Sequence, residues 1–108
     1  MKIDFSVGLT DIKGRALPIR DGEDNRDMRL SDAAVEALLT VYPDEMPDGT
    51  EKFRRYKLAV KIDGAGVVEL ETEDVAKLKG LIAKRWPPLV VGRCYELIEN
   101  GRSKADGS

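Results

Sequence analysis

The chain has 108 residues, 42% of them hydrophobic and 35% charged, with a net charge of −2, one cysteine and no histidine. That length and balance fit one charged globular domain, not a disordered chain, and no apolar run approaches the roughly 20 residues of a spanning helix. Without histidine the Ser-His-Asp and Cys-His constellations and His-containing zinc sites are excluded, and a lone Cys94 excludes thiolate zinc sites and intrachain disulfides. What remains for catalysis is carboxylate, lysine or magnesium chemistry, and no motif points to any of them. The reading is therefore a non-enzyme with no cofactor.

Charge is unevenly divided along the chain. Residues 1–50 carry 6 basic and 11 acidic side chains, and residues 51–108 carry 12 and 9. Because charges act over about a Debye length, roughly 8 Å at physiological salt, this division suggests either a mixed surface or separate acidic and basic patches. Met1–Ser6 alternates polar and apolar residues and lacks the unbroken apolar stretch of a secretory signal, so the expected location is the cytoplasm.

Ile3, Phe5, Val7 and Leu9 alternate with polar residues and glycine, which predicts a strand over 2–9 with one buried face. Asp11 to Gly14 reads as a turn, with residues 15–20 returning as an edge strand because Pro18 has no N–H to donate. Residues 21–29 read as a charged loop. Its acids, Asp21, Glu23, Asp24 and Asp27, fall short of a calcium loop, since Arg26 stands where the EF-hand needs glycine and Asp32 where it needs glutamate. No metal site is expected there.

Four helices follow. Ser31 is the expected cap of the first, with Val35, Leu38, Leu39 and Tyr42 inward and Pro43 as its stop. Thr50 is the expected cap of the second, over 51–62, with Phe53, Tyr56 and Val60 inward and Leu58 a further inward candidate. Gly64-Ala65-Gly66 makes a plain turn into a short strand, Val67 to Leu70, because no helix follows it as a phosphate loop requires. Thr72 opens the third helix over Val75, Leu78, Leu81 and Ile82. Pro87-Pro88 separates it from a fourth built on Leu89, Val90, Val91, Cys94, Leu97 and Ile98, which Asn100-Gly101 should end. The expected fold is α+β, a small antiparallel sheet with about four short helices on one face, forming a single domain over 1–101 with a flexible polar tail over 102–108.

Lys52, Arg54, Arg55, Lys57 and Lys61 crowd the second helix, and at about 100° per residue Arg54, Lys57 and Lys61 should share the face opposite Phe53, Tyr56 and Val60. Such a stripe suits an acidic protein surface or nucleic-acid phosphates, although a pI near 5.2 disfavours the latter. Trp86 at the helix corner and Arg93 on the last helix are further candidate contact residues, Trp86 also suiting a core seal.

The segments Met1–Gly14, Leu30–Glu45, Glu51–Ile62 and Val68–Glu99 together resemble small uncharacterised proteins of tailed phages and prophages. The likeness rests on Asp11-Ile12-Lys13-Gly14, the short helix around Ala33–Leu39, and Pro88-Leu89-Val90-Val91-Gly92-Arg93. It implies a phage or prophage origin and carries no activity and no functional residue with it. The expected function is protein–protein interaction, as a particle-assembly helper or a modulator of a host factor. The partner would be a second copy, a phage structural protein or a host protein. The alternative is a nucleic-acid-binding regulator acting through residues 51–62.

Overall fold

The computed structural model describes residues 1–21 and 24–107, with the side chains of 20, 21, 24, 25 and 101–107 outside the described set. The elements run β1 (Lys2–Asp4), β2 (Pro18–Asp21), β3 (Asp24–Asp27), α1 (Leu30–Leu39), α2 (Gly49–Ile62), β4 (Val67–Glu69), α3 (Thr72–Arg85) and α4 (Pro88–Gly107). The α+β class is as expected, and a radius of gyration of 13.8 Å matches one folded unit of this length.

The strands pair differently from the expected hairpin. β1 lies antiparallel to β4 with Ile3 opposite Val68, and β2 lies antiparallel to β3 with Ile19 opposite Arg26. The 2–9 strand stops early for a local reason. Asp4 Oδ1 accepts from the Ser6 N–H at 3.0 Å and the Ser6 hydroxyl at 2.6 Å, and this turn breaks the strand after β1. Ile3, Phe5 and Leu9 still reach the core, but Val7 is left partly in solvent. Beyond the break, residues 5–9 bond to the entry of α1, with Leu9 N–H donating to Met28 O and Leu30 N–H to Val7 O. The expected turn does form. Asp11 Oδ1 accepts from the N–H groups of Lys13 and Arg15, and Gly14 takes φ 84°, a left-handed value natural to glycine. Across it Thr10 pairs with Ala16, flanked by the bonds Leu17 N–H to Leu9 O and Asp11 N–H to Arg15 O, and β2 turns instead to β3, inside the segment expected to be a loop.

α1 is the hub. Leu30, Ala33, Ala34, Ala37 and Leu38 are buried, and their small side chains let α2 and α3 pack closely against it. Leu39, expected inside, is exposed, while Tyr42 is buried with its hydroxyl donating to Ala37 O at 2.8 Å. The caps also differ from expectation. Asp32 accepts from the Arg29 N–H, so α1 starts at Leu30 and Ser31 lies buried within its first turn. Asp48, not Thr50, caps α2 by accepting from the Glu51 N–H, and Glu71, not Thr72, precedes α3. Two acids thus sit at the positive ends of α1 and α2.

α3 buries Val75, Leu78, Leu81 and Ile82, as its spacing predicts. Trp86 turns the corner, and α4 opens at Pro88, burying Val90, Cys94 and Ile98. α4 continues to Gly107, past the expected stop at Asn100-Gly101. Among the described residues, no helix is long and apolar enough to cross a membrane.

Candidate functional site

α2 is the element on which the sequence and the structure disagree most. Its buried side carries Arg55, Leu58, Ala59 and Ile62, which recur at i, i+3, i+4 and i+7 and so form one stripe. Phe53, Tyr56 and Val60 stand on the opposite side, 60%, 55% and 58% exposed. The expected orientation is therefore reversed for Phe53, Tyr56 and Val60, while Leu58 faces inward as expected. The alanine-rich face of α1 receives Leu58, Ala59 and Ile62, and the one charge on that stripe is fully matched.

That charge is Arg55. Its terminal nitrogens donate to both oxygens of Glu45 at 2.6 and 3.0 Å, and its Nε donates to Glu51 at 2.8 Å. Lys77 of α3 completes the group, donating to both Glu51 oxygens at 3.0 and 2.9 Å. The Glu45 carboxylate raises the Arg55 pKa further, and Arg55 in turn lowers that of Glu45. Burial pushes Glu51 up, but hydrogen bonds from Lys77 and Arg55 outweigh it and leave the carboxyl lowered. Among the described residues, no buried side-chain nitrogen or oxygen is left without a partner.

The other candidate cations divide in two. Arg54 pairs with Asp74 of α3 at 2.9 Å and lies within 3.8 Å of Glu73. Lys61 donates to the backbone carbonyl of Glu69 at 2.9 Å and meets no carboxylate among the described residues. Lys57 sits over the Phe53 ring, 5.4 Å from its centroid, and neither Lys52 nor Lys57 meets a carboxylate among the described residues. The Phe53 and Tyr56 rings stack at 6.3 Å with 16° between their planes. Cations and aromatic rings thus share one exposed face instead of opposing each other. A groove of about 400 Å³ runs beside this face, lined by Thr50, Phe53, Arg54, Lys57, Leu58, Lys61 and Asp74. On the far side of Lys52, exposed Leu39 and Val41 line a smaller hollow with Pro47 and extend the apolar surface toward the end of α1.

Trp86 and Arg93 belong elsewhere. The Trp86 indole N–H donates to Ala33 O at 3.0 Å, and the Arg85 guanidinium lies 4.4 Å from its ring, so the residue seals the corner between α3 and α4 against α1. Arg93 holds the carbonyls of Thr10 and Asp11 at 3.0 and 2.7 Å and Glu96 at 3.1 Å, fastening the first turn to α4.

Part of the uneven charge along the chain is met by pairs between its halves. Arg55 meets Glu45, Lys84 meets Asp44 and Glu45, and Arg85 meets Glu36. A wider hollow of about 580 Å³ at the start of α1 is lined by Arg26, Arg29, Asp27 and Asp32, but Arg26 and Asp32 are bound to each other there at 2.7 and 2.8 Å. Burial pushes the Cys94 thiol up to about 12, which makes it a poor nucleophile. Among the described residues, no three acidic or cysteine side chains converge as metal ligands, and the side chains of Asp21, Glu23, Asp24 and Asn25 lie outside that set. No protein-family model, curated protein or solved structure matches the chain.

Proposed function

We propose that the protein acts by binding another protein, without chemistry of its own, and that its contact surface is the outer face of α2. One observation carries this reading. Phe53, Tyr56 and Val60 are more than half exposed on a helix whose core-facing stripe is a different set of residues. A helix that needs only one apolar side for folding gains nothing in the monomer from a second, and clustered exposed apolar groups mark interaction surfaces. Aromatic rings beside flexible cations also match the usual composition of interface anchors. The phage or prophage origin that the sequence resemblance implies would supply two roles compatible with such a surface, helper of particle assembly or modulator of a host factor. The same cations suit phosphates less well, because the patch is apolar at its centre and the whole chain is acidic.

The test is affinity capture from host lysate treated with nuclease, comparing the wild type with Phe53→Glu/Tyr56→Glu and with Ile12→Glu. Ile12 is 86% exposed on the first turn and serves as the control for an apolar residue away from α2. Capture that survives nuclease and Ile12→Glu but is lost in the α2 variant supports the reading. Capture that the α2 variant retains, or that nuclease removes, overturns it.

A further inference from the structure

Two rows of side chains at i, i+4 spacing wall the groove on α2, Thr50–Arg54–Leu58 on one side and Phe53–Lys57–Lys61 on the other, with Asp74 of α3 beyond the first row. Rows of this kind are the ridges between which a second helix places its own side chains. From Thr50 to Lys61 the groove runs roughly 16 Å at about 1.5 Å per residue, the length of about three helical turns. Its walls are helical side chains whose backbone groups are already bonded within α2, so the groove offers no edge to which a strand could be added. An occupant must satisfy its own backbone, and a helix does so.

Charge decides what kind of helix. Asp74 is committed to Arg54, whereas Lys57 and Lys61 in the facing row, and Lys52 on the helix flank, meet no carboxylate among the described residues. Seating α2 of a second copy on this face would bring those lysines against their own counterparts, which argues against self-association through it. We infer that the groove takes an amphipathic helix of about three turns from a partner protein, its apolar stripe against Phe53 and Leu58 and its acidic side chains against Lys57 and Lys61. This rests on the reading of α2 as the contact surface.

The experiment titrates the full-length ¹⁵N-labelled protein with a designed peptide of about four helical turns, leucine along one face and glutamate beside it. Its counterpart with lysine for glutamate and a short DNA duplex are titrated in parallel. The glutamate peptide should shift the amides of Thr50 to Lys61 and Asp74, and its affinity should fall at least about tenfold between roughly 50 and 300 mM salt. A similar loss is expected in Lys57→Glu/Lys61→Glu, and a partial loss in Lys57→Gln/Lys61→Met, which removes charge without placing an acid near Glu69. Equal binding of the lysine peptide, shifts confined to other elements, tighter binding of the duplex, or self-association that broadens the α2 amides would each overturn the inference. The two levels separate cleanly. If the glutamate peptide does not bind but Phe53→Glu/Tyr56→Glu still abolishes partner capture, only the acidic-helix assignment fails. If capture is unaffected by that variant, the surface itself is wrong.

Discussion

Arg55 holds Glu45 through both terminal nitrogens, at 2.6 and 3.0 Å, and so ties the loop after α1 to the core-facing side of α2. The same guanidinium reaches Glu51, which Lys77 anchors to α3, so one 10%-exposed side chain joins three segments.

Replacing Arg55 with alanine leaves Glu51 to Lys77 and Glu45 to Lys84 alone, 3.6 Å away, in a partly desolvated site. Breaking a fully buried ion pair costs about 3–5 kcal/mol. Because Glu45 and Glu51 keep some solvent contact, about 1–3 kcal/mol is expected here, or a melting temperature lower by roughly 5–15 °C. Arg55→Lys should recover little, since an ammonium cannot reproduce the two-nitrogen grip. An unchanged thermal midpoint for Arg55→Ala would show that the network contributes nothing to folding.

The same group predicts how stability depends on pH. Hydrogen bonding from Arg26 lowers Asp32, Arg55 lowers Glu45, and Lys77 with Arg55 lowers Glu51 against its burial. The unfolded chain, with ordinary values near 3.8 and 4.5, binds these protons first as pH falls. Their stabilisation is therefore complete above the ordinary values and is lost as pH drops through the lower native ones. Thermal midpoints should hold level from about pH 7 to 5 and decline below about pH 4, less steeply in Asp32→Asn/Glu51→Gln. A decline already complete at pH 5 would contradict these three assignments.

These charged contacts were the least legible part of the sequence because, apart from the i, i+4 pair of Glu51 and Arg55, each joins residues that periodicity cannot place together. α3 was readable, since its apolar residues fall on a single stripe and no second stripe competes. α2 carries two, 53/56/60 and 55/58/59/62, and the larger side chains of the first favour it when each residue is weighed alone. What reverses the choice is α1, whose alanines admit the slimmer stripe, and Glu45, which makes Arg55 acceptable inside. A local signal for the start of α2 was present in Asp48 and Glu51, three residues apart, the spacing at which an acidic cap meets a helix N–H. β3 gave no signal at all. Asp24-Asn25-Arg26-Asp27 has no apolar alternation, and its extended form follows from pairing with β2.

Cys94 should be inert in the native protein. With the side chain fully buried and the thiol pushed up to about 12, the thiolate that attacks disulfide reagents is scarce and out of reach. At pH 8, labelling by an aromatic disulfide should run at least about 100-fold slower in buffer than in denaturant. Because this thiol is raised, its contribution to stability is present below its ordinary value of 9.0 and is lost as pH rises toward 12. Rapid native labelling would mean that α4 opens readily from the core.

Two positions of α2 should differ sharply in what they contribute to stability. Leu58 is 7% exposed and Phe53 is 60% exposed, although phenylalanine is the larger hydrophobe. Leu58→Ala opens a cavity and should cost about 2–4 kcal/mol, a large part of the roughly 5–15 kcal/mol such a domain holds. Phe53→Ala loses one stacked ring and one exposed cation–π contact, together under about 1 kcal/mol. Urea unfolding of the two variants separates them, since a shift in midpoint at constant slope reads stability directly. Equal costs, or a larger cost at Phe53, would mean that α2 is turned the other way and that the proposed contact surface is part of the core. With the expected ranking, Phe53→Glu/Tyr56→Glu stays folded under the conditions of affinity capture, and a lost partner then reports a lost contact and not a lost fold.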